Sequence, residues 1–282
     1  MSTIDGHEPV SRNEDEFQGP CKQIILFGDS ITQMSFNQED GFGFGASLQD
    51  AYIRRLDVIN RGFGGYNTQH AIKVLPKFFP KVSQTKVALM LVFFGANDSC
   101  LPHAATHYVP VENYRQNLAD IIRNPCIQAH DPKILLITPP PANEHQIEQY
   151  DFAKGHSSLR RRAENTKLYA EACKNVGAEL QVPVVDLWTA CLEDAGWRKG
   201  AALLGSMSTP RKHEFDALFL DGKICSLDGA LAEADSSAGV HLRSSGYKIL
   251  YLEVMKAIRS NWPELAPENL PFVFPTWEFA PK

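Results

Sequence analysis

Ser30 is the first residue of the chain whose type and surroundings suit a chemical role. It directly follows a short apolar run in the string ILFGDSIT. That position places its hydroxyl at the N-terminus of the next helix, among backbone N–H groups without intrahelical partners. Such a place suits a nucleophile whose attack creates an oxyanion. A plain helix N-cap is the commoner role of a serine after a strand, so Ser30 alone does not establish a nucleophile.

Two further loops carry groups that could stabilise an oxyanion. The string NRGFGGYNT follows a second apolar run, and its glycines allow the backbone to turn an N–H toward a ligand. The string FFGANDS follows a third run. Ester hydrolysis needs two or three donors, and the candidates are the N–H groups of Ser30 and Gly65 and the side-chain amide of Asn97. Each loop taken separately is also explained by ordinary turn chemistry.

His241 is the candidate general base. It stands in the string GVHLRSSGYKIL, a few residues before a predicted helix. A histidine within hydrogen-bond reach of a serine takes the proton of the hydroxyl as it attacks. A lone histidine before a helix is also compatible with a purely structural role.

The elements that position these residues follow from five short apolar runs. Each run is nearly continuous rather than alternating, the pattern of a strand buried on both faces of a parallel sheet. Four runs end near Gly28, Gly62, Gly95 and Pro139, and the fifth surrounds Asp186. In open parallel sheets the ligand site lies beyond the carboxyl ends of the strands, which is where the candidate residues stand.

Helical periodicity separates the apolar runs. It covers Glu112 to Arg123, Ser158 to Val176 with Gly177 as the C-cap, and Ser244 to about Arg259. Strands that alternate with helices predict a three-layer α/β domain. The segments 139–157 and 190–237 fall outside this rhythm and are interpreted as connections.

The four blocks together resemble the SGNH (GDSL-type) hydrolase family. The blocks are GDSIT, the glycine turn at Gly65, GAND and the VHLxxxGY pattern, and the resemblance covers roughly residues 22 to 259. The string GFGFGASLQDAYIRRLDVINRGFGGYNT looks like the branch named for isoamyl acetate-hydrolysing esterases. The resemblance implies a flavodoxin-like α/β/α fold with a five-stranded parallel sheet, and it implies hydrolysis of carboxylic esters.

The resemblance also implies roles for the candidate residues. Ser30 would be the nucleophile, His241 the base, and Gly65 and Asn97 would donate to the oxyanion together with the Ser30 N–H. No metal and no organic cofactor is implied. The acyl and alcohol pockets are expected among Phe42, Phe44, Phe63 and Tyr66 and the loop after Pro139.

The chain departs from the family at the orienting carboxylate. Members carry an Asp three residues before the catalytic His, whereas this chain has Ala238 there. The string FLDG, at Asp221, resembles the usual approach to the His, as though residues 223–239 were inserted. If the ends of the insert lie close together, Asp221 can still reach His241. Weaker candidates are Asp235 and Asp228, and a Ser–His pair without a carboxylate is the remaining possibility.

Composition limits the classes of partner. The 282 residues carry 28 Lys and Arg against 33 Asp and Glu, a formal net charge of −5, which argues against a basic nucleic-acid surface. Residues 1–20 form a polar extension without the pattern of a signal peptide, and no apolar run is long enough for a membrane span. We therefore expect a cytoplasmic protein, with a hydrolase domain over residues 21–262 and a strap rich in Pro and aromatic residues over 263–282.

The sequence thus predicts a serine esterase that acts on small carboxylic esters, with acetate esters as the first candidate. The alternative is a catalytically impaired scaffold or binding protein, because Ala238 replaces the usual Asp. The run Arg160 to Arg162 is interpreted as a solvated face, and His103 and His107 as solvated histidines. The oligomeric state is not predicted.

Overall fold

A computed structural model of the chain describes residues 21–104, 107–221, 238–274 and 276–280. Several predictions concern residues outside these ranges. They are the polar extension 1–20, most of the predicted insert, and the two candidate acids Asp228 and Asp235. Within the described ranges, five parallel strands form one sheet.

The strands coincide with the five apolar runs. They are β1 (Gln23–Gly28), β2 (Asp57–Gly62), β3 (Val87–Phe93), β4 (Lys133–Ile137) and the short β5 (Val184–Val185). Their order in the sheet is β2-β1-β3-β4-β5, and every neighbouring pair is parallel. This order is the flavodoxin-like one, so the predicted fold class is confirmed.

The sheet has an apolar core on each face because the central strands are buried on both sides. In β1, Ile24 and Leu26 join one core, while Ile25 and Phe27 join the other. Successive side chains of a strand point to opposite faces, so a continuous apolar run supplies both cores. Helices cover both faces, which gives the three layers.

The helices alternate with the strands along the chain. In chain order they are α1 (Ser30–Gln33), α2 (Phe44–Ala51), α3 (Thr68–Phe78), α4 (Val111–Ile122), α5 (Pro125–Gln128), α6 (Glu144–Ala153), α7 (Ala163–Leu180), α8 (Leu187–Asp194), α9 (His213–Asp216) and α10 (Ser244–Asn261). Helices α3, α4 and α7 contribute to the core around Ile25 and Phe27, and α2, α8 and α10 to the core around Ile24 and Leu26. In the part of the chain that the structure describes, no helix has the length and apolar character of a membrane span.

Helix α7 differs from its prediction at both ends. It begins at Ala163 rather than near Ser158, because Arg162 is extended and two acids of α6 accept from the N–H groups of Arg160 and Ala163. It also continues past Gly177 to Leu180 and ends with Gln181 in the left-handed conformation, at φ 55°. Gly177 is therefore not a cap: a Cβ there would stand 2.2 Å from a methyl carbon of Val184, so it allows α7 to approach β5.

The two segments interpreted as connections contain helices. Helix α6 lies between residues 139 and 157, and α9 lies within 190–237, a range in which α8 also ends. The sequence of α6 is mostly polar, EHQIEQYDFA, which hid it from an apolar pattern. In the C-terminal strap, Phe272 lies under the guanidinium groups of Arg54 and Arg55, whereas Trp277 is exposed.

Candidate active site

Ser30 lies at the carboxyl end of β1 and begins α1. Asp29 caps this helix, because its Oδ1 accepts a hydrogen bond of 2.9 Å from the N–H of Ile31. Asp29 rather than Ser30 is therefore the N-cap, which leaves the Ser30 hydroxyl free for another contact.

The Ser30 hydroxyl meets His241. The distance between Ser30 Oγ and His241 Nε2 is 2.7 Å, although 211 positions separate the two residues in the chain. The imidazole is 2% exposed, whereas Ser30 is partly exposed. A serine hydroxyl at this distance from a buried imidazole nitrogen can transfer its proton directly.

Backbone pairing positions His241. The N–H of Leu220 donates to the carbonyl of His241 at 2.9 Å, and the next residue, Leu242, forms an antiparallel bridge with Phe219. The helix that follows, α10, is tied to α1 because the Tyr247 hydroxyl donates to the carbonyl of Ile31 at 2.7 Å. The base and the serine are therefore held by linked elements.

The loop after β2 presents the backbone of Gly65. Its φ of 75° lies in the left-handed region, which glycine adopts without a steric penalty. The preceding N–H, of Gly64, donates to the Gln33 side chain at 2.7 Å. Among the described residues, the Gly65 N–H has no hydrogen-bond acceptor, so it is available to a ligand.

Asn97 lies in the turn after β3 and is buried. One N–H of its amide donates to the carbonyl of Tyr66 at 2.9 Å, and its Oδ1 accepts from Arg161 Nη2 at 3.0 Å. A primary amide has two N–H bonds, so one remains for a ligand at the edge of the sheet.

The adjacent Asp98 connects the loops. It is fully buried, and its Oδ1 accepts from the backbone N–H of Thr68 at 2.9 Å and from the Thr68 hydroxyl. Thr68 begins α3, directly after the loop that holds Gly65. Burial raises the pKa of Asp98 to about 6, although the bonds from Thr68 oppose this shift.

Asp29 is a second buried carboxyl beside the site. Burial raises its pKa to about 7, and the nearby Asp98 adds to the shift, while the hydrogen bond from Ile31 and the charge of Arg161 oppose it. The region under Ser30 thus contains two carboxyl groups and one guanidinium group, all withdrawn from water.

The predicted orienting acid, Asp221, is an exposed residue at the start of the segment 222–237. The N–H of Gly239 donates to the carbonyl of Leu220 at 2.9 Å, so the described residues on either side of that segment lie close together. Ala238, at the usual position of the Asp, is buried. These bonds bring the backbone next to Asp221 alongside His241, and the role of Asp221 stays a prediction.

The interpretation of Arg160 to Arg162 as a solvated face is wrong for Arg161, and the Arg160 side chain is also mostly buried, at 14% exposed. Arg161 is 2% exposed and reaches the turn after β3, where it also donates from Nε to the carbonyl of Ala96 at 3.2 Å. The sequence did not predict its burial, because a short run of arginines looks the same whether its members are exposed or buried. A signal for this burial was available in the sequence of α6, because its acidic residues pair with the arginines on either side of Arg161.

The two histidines of the HAATH string differ. His103 is exposed and its Nε2 contacts the carbonyl of Leu159 at 3.0 Å. His107 is half-buried and its Nε2 stands 3.6 Å from the position that a Cβ on Gly65 would take. His107 therefore flanks the loop of the candidate oxyanion donor, a placement that the sequence did not indicate.

A cavity of about 220 Å³ is lined by residues that follow Ser30 and His241 in the chain, while neither of these two residues is part of its lining. Its lining includes Met34, one turn after Ser30, and Leu242, next to His241, together with Phe42. Of the other predicted pocket residues, Phe44 is buried in the core, while Phe63 and Tyr66 stack on each other with ring centroids 5.1 Å apart.

Comparison with known proteins identifies the family of this chain. Residues 26–249 match the model of the GDSL-like lipase/acylhydrolase family. A GDSL esterase/lipase of Arabidopsis thaliana is 33% identical over 90% of this chain and 91% of its own length. The isoamyl acetate-hydrolyzing esterase 1 homolog of Mus musculus is 36% identical over 73% of this chain and 84% of its own length.

Solved structures show the same fold. A lipase/acylhydrolase from Enterococcus faecalis superimposes with a TM-score of 0.55 at 22% identity, over 85% of this chain and 96% of that one. An acetylxylan esterase from Geobacillus stearothermophilus gives a TM-score of 0.52 at 18% identity, over 85% and 95% of the two chains. The chain belongs to the GDSL-like lipase/acylhydrolase family and is a carboxylic ester hydrolase.

Proposed function

We propose that this esterase works through a covalent acyl-enzyme, with Ser30 as the nucleophile and His241 as the general base. The observation that carries the proposal is the 2.7 Å hydrogen bond between Ser30 Oγ and His241 Nε2. A neutral serine is a weak nucleophile, and an imidazole at this distance activates it by accepting its proton.

The first half of the reaction transfers the acyl group. Ser30 Oγ forms a bond to the ester carbonyl carbon while its proton moves to His241 Nε2, and the carbonyl oxygen becomes an oxyanion. The bond from the carbon to the alcohol oxygen then breaks, and His241 returns the proton to the leaving alcohol. The product of this half is an ester of Ser30 and the free alcohol.

The second half releases the acid. A water molecule gives a proton to His241 as its oxygen attacks the acyl carbon, and the bond from carbon to Ser30 Oγ breaks. His241 then returns the proton to Ser30. The same imidazole acts alternately as base and acid, so no further titratable group is required for proton transfer.

Three donors would stabilise the oxyanion of each half. They are the Ser30 N–H at the start of α1, the Gly65 N–H, and the second N–H of the Asn97 amide. Each follows one of the three neighbouring strands β1, β2 and β3, at the same edge of the sheet. Removal of one such donor typically slows catalysis by about 10² to 10³.

Asp221 is the proposed carboxylate partner of the imidazole. A carboxylate that accepts from Nδ1 holds the imidazole in the correct tautomer and stabilises its charged form. Support comes from the backbone hydrogen bonds of Leu220 with Gly239 and His241, because they hold the neighbour of Asp221 beside the base.

The proposed substrates are esters of small carboxylic acids, with acetate esters as the first candidate. The relatives with 36% to 39% identity in mammals are named isoamyl acetate-hydrolyzing esterase homologs.

The alternative function, a scaffold without catalysis, rests on Ala238. The hydrogen bond between Ser30 and His241 argues against it, because a chain that had lost catalysis has no reason to keep a buried imidazole against a partly exposed serine. The enzymatic proposal therefore accounts for more of the site.

The test is hydrolysis of p-nitrophenyl acetate, butyrate and octanoate by the protein and its Ser30→Ala and His241→Ala variants. We expect turnover to disappear in Ser30→Ala and nearly to disappear in His241→Ala, with acetate as the best substrate. Mass spectrometry after rapid acid quenching should find one acetyl group on the peptide that contains Ser30.

Ser83→Ala is the matched control, since Ser83 is exposed and precedes β3 at the opposite edge of the sheet. It should keep full turnover. Ser30→Ala turnover equal to that of the unmodified protein would contradict the nucleophile assignment. A preference for octanoate would leave the nucleophile in place and overturn the proposed substrate size.

A further inference from the structure

Arg161 is the middle member of three consecutive arginines, and its surroundings differ from those of its neighbours. Arg160 pairs with the buried Asp151 at 2.9 Å, and Arg162 pairs with the buried Glu144 at 3.3 Å. Among the ion pairs of the described residues, none includes Arg161, although it is the most buried of the three.

Arg161 instead contacts two neutral oxygens in the turn after β3. Its Nε donates to the carbonyl of Ala96 at 3.2 Å, and its Nη2 donates to the side-chain oxygen of Asn97 at 3.0 Å. Within the described part of the chain, the third nitrogen, Nη1, has no hydrogen-bond acceptor. No described carboxylate lies within ion-pair distance of Arg161, and its charge acts on the buried Asp29 from farther away, so burial of this guanidinium is only partly compensated.

The contact with Asn97 sets the orientation of the amide. Because Oδ1 faces the guanidinium, the amide nitrogen must face the opposite side, where one N–H donates to the carbonyl of Tyr66 at 2.9 Å. The remaining N–H is the predicted oxyanion donor. A rotated amide would point its oxygen at the substrate and would repel the oxyanion, so the orientation decides whether Asn97 helps or hinders.

The positive charge also acts on the donor strength of Asn97. A cation bonded to the amide oxygen draws electron density from the nitrogen, and hydrogen bonds in series strengthen one another. The site lies in a buried region, where a charge is screened less than in water. The segment that carries Arg161 is itself fixed, because the N–H of Leu101 donates to the carbonyl of Arg160 at 2.8 Å.

We propose that Arg161 is the positioning residue of the oxyanion site, which orients and polarises the Asn97 amide through the bond from Nη2 to Oδ1. This role rests on the proposed function of Asn97. Arg161 does not touch the substrate, and its effect on the reaction passes through Asn97.

A double-mutant cycle tests the proposal, with kcat and KM for p-nitrophenyl acetate measured for Arg161→Met, Asn97→Ala and the double variant. Arg161→Met should lower kcat by at least about tenfold with KM changed less than about threefold, and Asn97→Ala should lower kcat by about 10² to 10³. The double variant should be no more than about threefold slower than Asn97→Ala, because Arg161 acts only through the amide.

The opposite result is an additive cycle. If Arg161→Met slows the Asn97→Ala protein by the same factor as the unmodified protein, Arg161 does not act through Asn97 and the proposal is overturned. A protein without any ester turnover overturns the proposed function and this role together, whereas an active protein with an additive cycle overturns this role alone.

Arg162→Met is the matched control, because it removes the neighbouring arginine and its contact with Glu144 but leaves Asn97 untouched. Its kcat should stay within about threefold of the unmodified protein, which shows that loss of an arginine from this segment does not by itself slow the reaction. If Arg161→Met does not fold, Arg161→Lys replaces it in the same cycle. It keeps the charge without the planar guanidinium, and its kcat should fall between those of Arg161→Met and the unmodified protein.

Discussion

The side-chain amide of Asn97 donates to the backbone carbonyl of Tyr66 at 2.9 Å and so joins the loop after β3 to the loop after β2. Tyr66 directly follows Gly65 in the chain. Two of the three proposed oxyanion donors are therefore coupled by one hydrogen bond, and a change in either loop is transmitted to the other.

Gly65→Ala should lower both stability and activity. If alanine keeps the φ of 75°, the free energy of unfolding falls by about 1 to 2 kcal/mol, because a residue with a Cβ is strained there. If the backbone relaxes instead, the N–H turns away from the substrate and activity falls. The new Cβ would stand 3.6 Å from His107 Nε2, an ordinary contact, so the effect comes from the backbone rather than from a clash. Urea unfolding and kcat for p-nitrophenyl acetate measure the two effects.

Gly200→Ala is the control for this prediction. Gly200 has a φ of 91°, and no atom lies within 4 Å of the position of a new Cβ. It should lose a similar free energy of unfolding and keep its kcat. Equal kcat in Gly65→Ala and the unmodified protein would remove Gly65 from the list of oxyanion donors.

The sheet and the residues at its edge could be predicted because their determinants are local. A strand buried on both faces is a continuous apolar run, and the turns after β1, β2 and β3 carry the residues GDS, GG and AND directly behind it. The sequence therefore makes Ser30, Gly65 and Asn97 candidates at one edge of the sheet without knowledge of any contact, and their roles stay predictions.

Arg161 and α6 could not be predicted because their determinants are distant. Arg161 is buried by acceptors 64 and 65 positions away, in a turn that the basic run does not reveal. Helix α6 buries polar residues, among them Glu144 and Asp151, against the arginines that follow it. The sequence of α6 therefore lacks the apolar periodicity that predicts a helix, because its buried face makes ion pairs in place of apolar contacts.

Asp29 makes stability depend on pH. Its pKa is about 7 in the folded protein against an ordinary value of 3.8, so between these values the folded state keeps a proton that the unfolded state has lost. The free energy of unfolding therefore falls as pH rises through this window and levels off above it.

Asp29→Asn should remove this dependence, because an Asn side chain still accepts from the N–H of Ile31 but does not titrate. We expect the variant to gain stability relative to the unmodified protein by more than about 1 kcal/mol between pH 5 and pH 8, since each pH unit crossed inside the window corresponds to about 1.4 kcal/mol. Urea unfolding of both proteins at the two pH values gives the difference. A difference that stays constant or shrinks would place the titration elsewhere.

The carboxylate partner of His241 is the last prediction. Asp221→Asn should lower kcat by about 10² to 10⁴ with little change in KM, because an amide favours the wrong tautomer of the imidazole while the oxyanion donors still operate. Asp235→Asn is the matched control and should keep its kcat, since the backbone pairs His241 with Leu220, the neighbour of Asp221. Steady-state hydrolysis of p-nitrophenyl acetate across pH 5 to pH 9 separates the two variants. A loss in Asp235→Asn with full activity in Asp221→Asn would reverse the assignment. Full activity in both variants would overturn the role of Asp221 and leave Asp228 or a Ser–His pair without a carboxylate.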